Sequence, residues 1–194
     1  MKNITLIIIG LFVSISLKAQ TTEWSFDFAH SKVTFTVTHM MVSDVEGQFN
    51  KYEGTVYSDK DDFTDAKINF KIDASSINTD NEKRDKHLRS SDFFDVEKYP
   101  SIEFQGKSMK KEGKGKYKLS GDFTMIGVTK TIILNVDFKG IIKDPWGGTR
   151  AGFKISATID RTEWGLKYNS IIPTGGVVIG NEVKIVCNVE LIKK

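Results

Sequence analysis

Cysteine, proline and histidine are scarce in this chain, and each scarcity removes a class of protein. Cys187 is the one cysteine among 194 residues, so no intrachain disulfide forms, and a thiol set among alternating apolar neighbours has no base to activate it. The three histidines, His30, His39 and His87, fall in three separate segments. They do not have the short paired spacing of zinc sites, and no metal is expected. His87, Ser91 and Asp92 offer hydrolase residue types without a Gly-x-Ser-x-Gly elbow, and no glycine-rich loop leads into a helix to cradle phosphate. Neither a catalytic group nor a cofactor is expected. With three prolines and no low-complexity tract, the chain reads as one domain large enough for a substantial core.

Long apolar runs are confined to the N-terminus. Lys2 precedes an apolar stretch of 14 residues from Ile4 to Leu17, followed by Lys18-Ala19-Gln20. That stretch is short of the roughly 20 residues that span a bilayer, so residues 1–19 read as a cleaved export signal and residues 20–194 as the working domain. Export implies a periplasmic or secreted location. Loss of Lys2 and Lys18 lowers the formal charge from +3 to +1, and a nearly neutral domain argues against nucleic acid as a partner. One local exception is the basic run Lys107, Lys110, Lys111, Lys114, Lys116 and Lys118 around Gly113 and Gly115. A hairpin of that charge either stays solvated or touches an anionic membrane surface.

What the chain has in abundance is strand alternation. Val33, Phe35, Val37 and His39 alternate with threonines, and Ala66, Ile68, Phe70 and Ile72 alternate with polar residues. The pattern continues through Ile102 and Phe104, then Tyr117 to Met125, Ile132 to Phe138, Ala151 to Ile159, and Val183 to Leu191. An eighth strand, Val45 to Val56, changes parity between Phe49 and Tyr52, which predicts a bulge. Gly127-Val128 and Pro145-Trp146-Gly147-Gly148 mark hairpin connections. No crossover helices are present to allow parallel pairing. Eight antiparallel strands make either a two-sheet sandwich or an up-and-down barrel, and the pattern does not choose.

The segment Arg84–Pro100, RDKHLRSSDFFDVEKYP, breaks this alternation. Thr79 and Glu82 have capping-box spacing, which predicts a short helix from about Asp80 to about Arg89 with Arg84, His87 and Leu88 on one face. Phe93, Phe94 and Tyr99-Pro100 read as an aromatic lid leading into the next strand. Trp164 and the loop Ile171 to Gly176 are expected at the other end of the molecule, as a plug or a gate.

Five blocks together resemble the YceI family of lipid and polyisoprenoid binding proteins: His30-Ser31 with Val33, Phe35, Val37 and His39; Val45-x-Gly47-x-Phe49; Arg84-Asp85-x-His87-Leu88 with Ser91-Asp92-Phe93-Phe94 and Tyr99-Pro100; Gly127-Val128-Thr129-Lys130; and Gly180-x-Glu182-Val183. Asn181 departs from the aspartate usual in that family. The resemblance implies an all-β fold, an eight-stranded antiparallel lipocalin-like barrel with one short helix near its mouth. At about 3.3 Å per residue and a tilt near 40°, strands of roughly 11 residues make such a barrel about 28 Å tall, a shape suited to a long ligand. The implied activity is non-enzymatic binding, transport or storage of a polyisoprenoid or isoprenoid quinone. Phe35, Val37, Phe70, Phe104, Phe123, Met125, Leu134, Phe153 and Ile155 are the candidates to line its tail. His30, His39, Arg84, Asp85, His87, Phe93 and Phe94 are the candidates for its head group or the mouth. Two other readings stand beside this one: an enzyme acting on the lipid head, and a filled-barrel stress or interaction protein. Oligomeric state stays open, a dimer included.

Overall fold

The computed structural model describes residues 21–172 and 175–194, so the expected leader over residues 1–19 lies outside it. Eleven strands follow in order: β1 (Glu23–Phe26), β2 (Lys32–His39), β3 (Ser43–Phe49), β4 (Tyr52–Tyr57), β5 (Lys67–Asp73), β6 (Ile77–Asn78), β7 (Ser101–Gly113), β8 (Lys116–Met125), β9 (Val128–Lys143), β10 (Thr149–Asp160) and β11 (Ile179–Lys193). One α-helix, α1 (Glu82–Arg89), lies between β6 and β7, and 3₁₀ turns occupy Ala74–Ser76 and Arg161–Trp164.

All strand pairs are antiparallel, and β1-β4-β5-β7-β8-β9-β10-β11 close into an eight-membered ring through β1–β11. The three extra strands are continuations. Along one edge of β11, β1 pairs with Phe26 opposite Leu191, and β2 pairs with Val33 opposite Cys187. β1 and β2 are therefore one wall broken at residues 27–31, as β3 and β4 are one wall broken at Asn50-Lys51. That second break lies where the apolar parity changes. Closure removes the free edges that an open sheet would expose.

Turn chemistry is local and specific. Met125 pairs with Val128 across Ile126 (φ 50°) and Gly127 (φ 70°), the two left-handed residues of a primed hairpin turn. A side chain at Gly127 would also come within 2.8 Å of the Tyr99 ring, so the lid segment packs directly on this hairpin. Between β9 and β10, the Asp144 carboxylate accepts from Trp146 N at 3.0 Å and Gly148 N at 2.8 Å.

Asp144 belongs to an ion-pair cluster at that end of the barrel. Arg150 donates to Asp144 at 2.7 Å and to Asp27 and Glu190 at 2.6 Å each, while His30 Nδ1 lies 3.0 Å from Asp27. Hydrogen bonds from His30 and Arg150 hold the Asp27 carboxyl at about 2, against 3.8 for the free group. A group depressed on folding stabilises fully above its unfolded value and loses that contribution as pH falls through the folded one. Urea midpoints should therefore fall between about pH 4 and about pH 2, and Arg150→Gln should make that fall shallower. A variant with an unchanged acid profile would show that the cluster does not carry the dependence.

Candidate functional site

The barrel is hollow. A cavity of about 220 Å³ runs inside it, walled by side chains from every strand of the ring, with Thr34, Ser156, Arg161 and the sulfurs of Cys187, Met109 and Met125 the only groups on its lining, among the described residues, that are not hydrocarbon. All nine candidate tail residues, Phe35, Val37, Phe70, Phe104, Phe123, Met125, Leu134, Phe153 and Ile155, line it. Alternation in a strand places every second side chain inside. Phe35, Val37, Phe70, Leu134 and Ile155 point inward yet stay only half-buried, because one side of each faces empty space rather than packed atoms.

Glycines shape the wall. Gly47 lies opposite Phe35 and Gly54 opposite Phe70, and a side chain at Gly47 would come within 2.3 Å of the Phe35 ring. At Gly121 the intruding ring would be that of Phe104, also at 2.3 Å. Each ring packs against a neighbouring strand where a Cβ is missing, which makes room for it in the wall of the lumen.

The two ends differ. At the foot, Phe63 in the β4–β5 connection is 1% exposed and packs against Trp24, Phe138 and Phe153, with centroids 5.0, 5.7 and 4.9 Å away. The loop behind it is tied by Asp65, which accepts from Ser58 Oγ at 2.5 Å and Asp59 N at 3.0 Å. Burial pushes the Asp65 carboxyl up, and these bonds outweigh it and hold it below its ordinary value. Nothing in the acidic sequence around Phe63 marks it as a plug.

The opposite end is covered by segments outside the strand ladder. β3 pairs with β6 only at Gln48 and Phe49, so its Ser43–Gly47 edge has no second strand among the described residues, and α1 with the chain after it fills the gap. Leu88, Phe93 and Phe94 from this cover reach the cavity. Tyr168 packs on both His87 and Phe93, each 4.9 Å away. Residues 161–172 thus join the α1 lid at the same end, correcting the expectation that Trp164 and the loop after it close the other one; residues 173 and 174 of that loop lie outside the described residues. Trp164 is buried, edge-on to Phe123, with its indole N–H donating to Phe123 O at 3.2 Å. That is a plug. The outer rim here is apolar: Met41 and Val42 on the β2–β3 turn are 70% and 85% exposed, and Ile171 85%.

The polar lid residues are committed to holding the cover in place. Asp85, 7% exposed, accepts from Thr79 N at 2.9 Å and Thr79 Oγ1 at 2.5 Å. Arg84 donates to Thr79 Oγ1 and Thr79 O, both at 2.7 Å. With Thr79 so occupied, the helix is capped by Asn81, whose Oδ1 accepts from Arg84 N at 2.9 Å, rather than by the Thr79–Glu82 box. Asp85→Ala strands both Thr79 donors, and hydrogen bonds to a charged group are worth about 1.5–3 kcal/mol each. A loss of about 3 kcal/mol in urea denaturation is expected; a loss under about 0.5 kcal/mol would contradict a locking role.

The histidines do not converge. His87 Nε2 meets Asp92 at 2.9 Å on the surface of the lid, His39 ends β2 opposite Ile179, and His30 sits with Asp27 near Glu190, towards the far end of β11. Asp27, His30 and Glu190 have metal-like proximity, but both carboxylates are engaged by Arg150. None of these three histidines lines the cavity. The basic hairpin is at the foot, where Lys107 pairs with Asp122 and Lys116 with Asp137, both at 2.6 Å.

Arg161 was missed in the sequence because a base after a strand reads as surface. It is 3% exposed and lines the cavity. Its Nε donates to Gly180 O at 2.9 Å, Nη1 to Leu166 O, and Nη2 to Ile179 O at 3.4 Å. Burial lowers its pKa, with the Asp160 charge working the other way. Cys187, at mid-height on β11 between Val33 and Ile155, has its thiol pushed up to about 12 by burial, as expected of an inert thiol.

A closed antiparallel barrel around an apolar cavity, with one end sealed and the other under a lid, defines a lipocalin-like barrel. The chain belongs to the YceI-like domain family, whose model matches residues 24–191. A UPF0312 protein of Staphylococcus aureus strain N315 is 38% identical over 170 residues, covering 87% of this chain and 96% of that one. Among solved structures, the YCEI protein of Campylobacter jejuni superposes with a TM-score of 0.70 at 30% identity, over 81% of this chain and 90% of that one. A polyisoprenoid binding domain from Saccharophagus degradans, described as implicated in plant cell wall breakdown, shares the fold at TM-score 0.65 and 14% identity, over 87% and 97% of the two chains.

Proposed function

We propose that this protein binds a long amphipathic lipid of polyisoprenoid or isoprenoid-quinone type without chemical change, tail inside the barrel, and carries or stores it outside the cytoplasm. The observation that carries this reading is the hollow core: inward-facing Phe35, Phe70, Leu134 and Ile155 leave apolar surface unpaired around a cavity of about 220 Å³. A hydrocarbon tail gains about 0.8 kcal/mol per buried CH₂, so a dry tunnel suffices and no catalytic group is required. A filled barrel would bury those side chains against each other. The binding named for the Saccharophagus domain supports the same ligand class.

The lid end suits exchange with a membrane, since its cover is one short helix with loops outside the strand ladder and its rim exposes Met41, Val42 and Ile171. The Lys107–Lys118 hairpin is the less suitable contact, because two of its lysines are neutralised and it flanks the plugged foot. Export as a residue 20–194 domain fits a carrier working between membranes. Titration with a fluorescent isoprenoid tests the proposal: saturable one-to-one binding is expected, and no saturable binding would move the protein to the filled-barrel class.

A further inference from the structure

Among the described residues Arg161 is the one charged group on the cavity wall, and its charge has no counterpart in contact. A guanidinium carries five N–H donors. Three go to the carbonyls of Gly180, Leu166 and Ile179, and no carboxylate lies within ion-pairing distance among the described residues. The neighbouring Asp160 is turned away, accepting from Thr162 N at 2.9 Å and Thr162 Oγ1 at 2.6 Å to cap the 3₁₀ turn. A buried cation bonded only to neutral carbonyls is unusual, because removing a charge from water is costly unless an anion compensates it.

The position along the barrel gives the charge a direction. Arg161 reaches β11 at Ile179 and Gly180, the end where the lid lies. The opposite end terminates in the ring cluster of Trp24, Phe63, Phe138 and Phe153, which offers nothing to a polar group. The cavity is thus hydrocarbon at its foot and cationic at its top.

We infer that Arg161 anchors the ligand's head, so that the lipid sits with its tail towards Phe63 and an anionic oxygen, such as that of a phosphate or carboxylate, against the guanidinium. This rests on the carrier reading above and adds to it the chemistry of the head and the orientation of the chain. The three bonds leave one N–H donor on each Nη, and two donors on one guanidinium are what a phosphate or carboxylate takes from arginine.

The test compares two probes of equal chain length, a polyprenyl phosphate and the corresponding polyprenol, titrated against the full-length protein and against Arg161→Gln and Arg161→Lys. Charge-assisted hydrogen bonds predict that the wild type prefers the phosphate by about tenfold or more. Arg161→Gln should lose that preference while still binding the alcohol, and Arg161→Lys should keep part of it. Equal wild-type affinity for both lipids, or a preference that survives in Arg161→Gln, would overturn the inference and leave the carrier standing. Binding of neither lipid by the wild type would overturn both. If Arg161→Gln fails to fold, Arg161→Lys decides the matter, because a preference undiminished in that variant would overturn the inference.

Discussion

Cys187→Phe is expected to abolish saturable isoprenoid uptake while the barrel stays folded. Cys187 faces the lumen at mid-height, across the ladder from Val33 and Ile155, and its neighbours leave open space rather than packed atoms. A ring there grows into the cavity instead of into the wall. Overpacking a dense core costs about 1–3 kcal/mol; here the cost should stay under about 1 kcal/mol, since the added volume has somewhere to go. The functional effect is large because a tail threaded through a narrow tunnel cannot detour around an obstruction. Isoprenoid titration and thermal unfolding of the same sample check both halves. Wild-type affinity in this variant would place the ligand outside the barrel.

Phe63→Ala should have the largest effect on stability. Phe63 is among the most buried large side chains, and it closes the foot by contacting three other aromatic rings. Its backbone is left-handed at φ 56°, a conformation that costs about 1–3 kcal/mol in a non-glycine residue and persists only where packing enforces it. Removing the ring loses both the transfer energy and the packing, about 3–5 kcal/mol in urea denaturation. A loss under about 1 kcal/mol would contradict the plug. The variant also opens the foot to water, so bound fluorescent lipid should become accessible to an aqueous quencher.

The fold was legible where period-two alternation is strong. Phe123, Phe153 and Ile155 could be assigned to the lumen because strand geometry alternates faces between bulges, and the parity change between Phe49 and Tyr52 marks the break between β3 and β4. Choosing a barrel over a sandwich took the family resemblance, since alternation is the same in both. The short helix was legible from spacing, its cap was not: Thr79 is claimed by Asp85 and Arg84, a tertiary choice that outranks the local capping box. Closure itself carried the rest. It brings Tyr168 onto His87 and Phe93 across some eighty residues of chain, which no local pattern announces. Phe63 is concealed in an acidic loop and Arg161 behind a strand end, so the plug and the cation on the wall appear only once the ring is closed.

The central claim is that the barrel holds a lipid, and native mass spectrometry of the protein purified from its own host, followed by organic extraction, tests it most directly. The account predicts a mass excess of one ligand per chain and release of an isoprenoid lipid with a polar head. A protein that flies at its bare polypeptide mass, and that stays so after incubation with a polyprenyl phosphate, would contradict it.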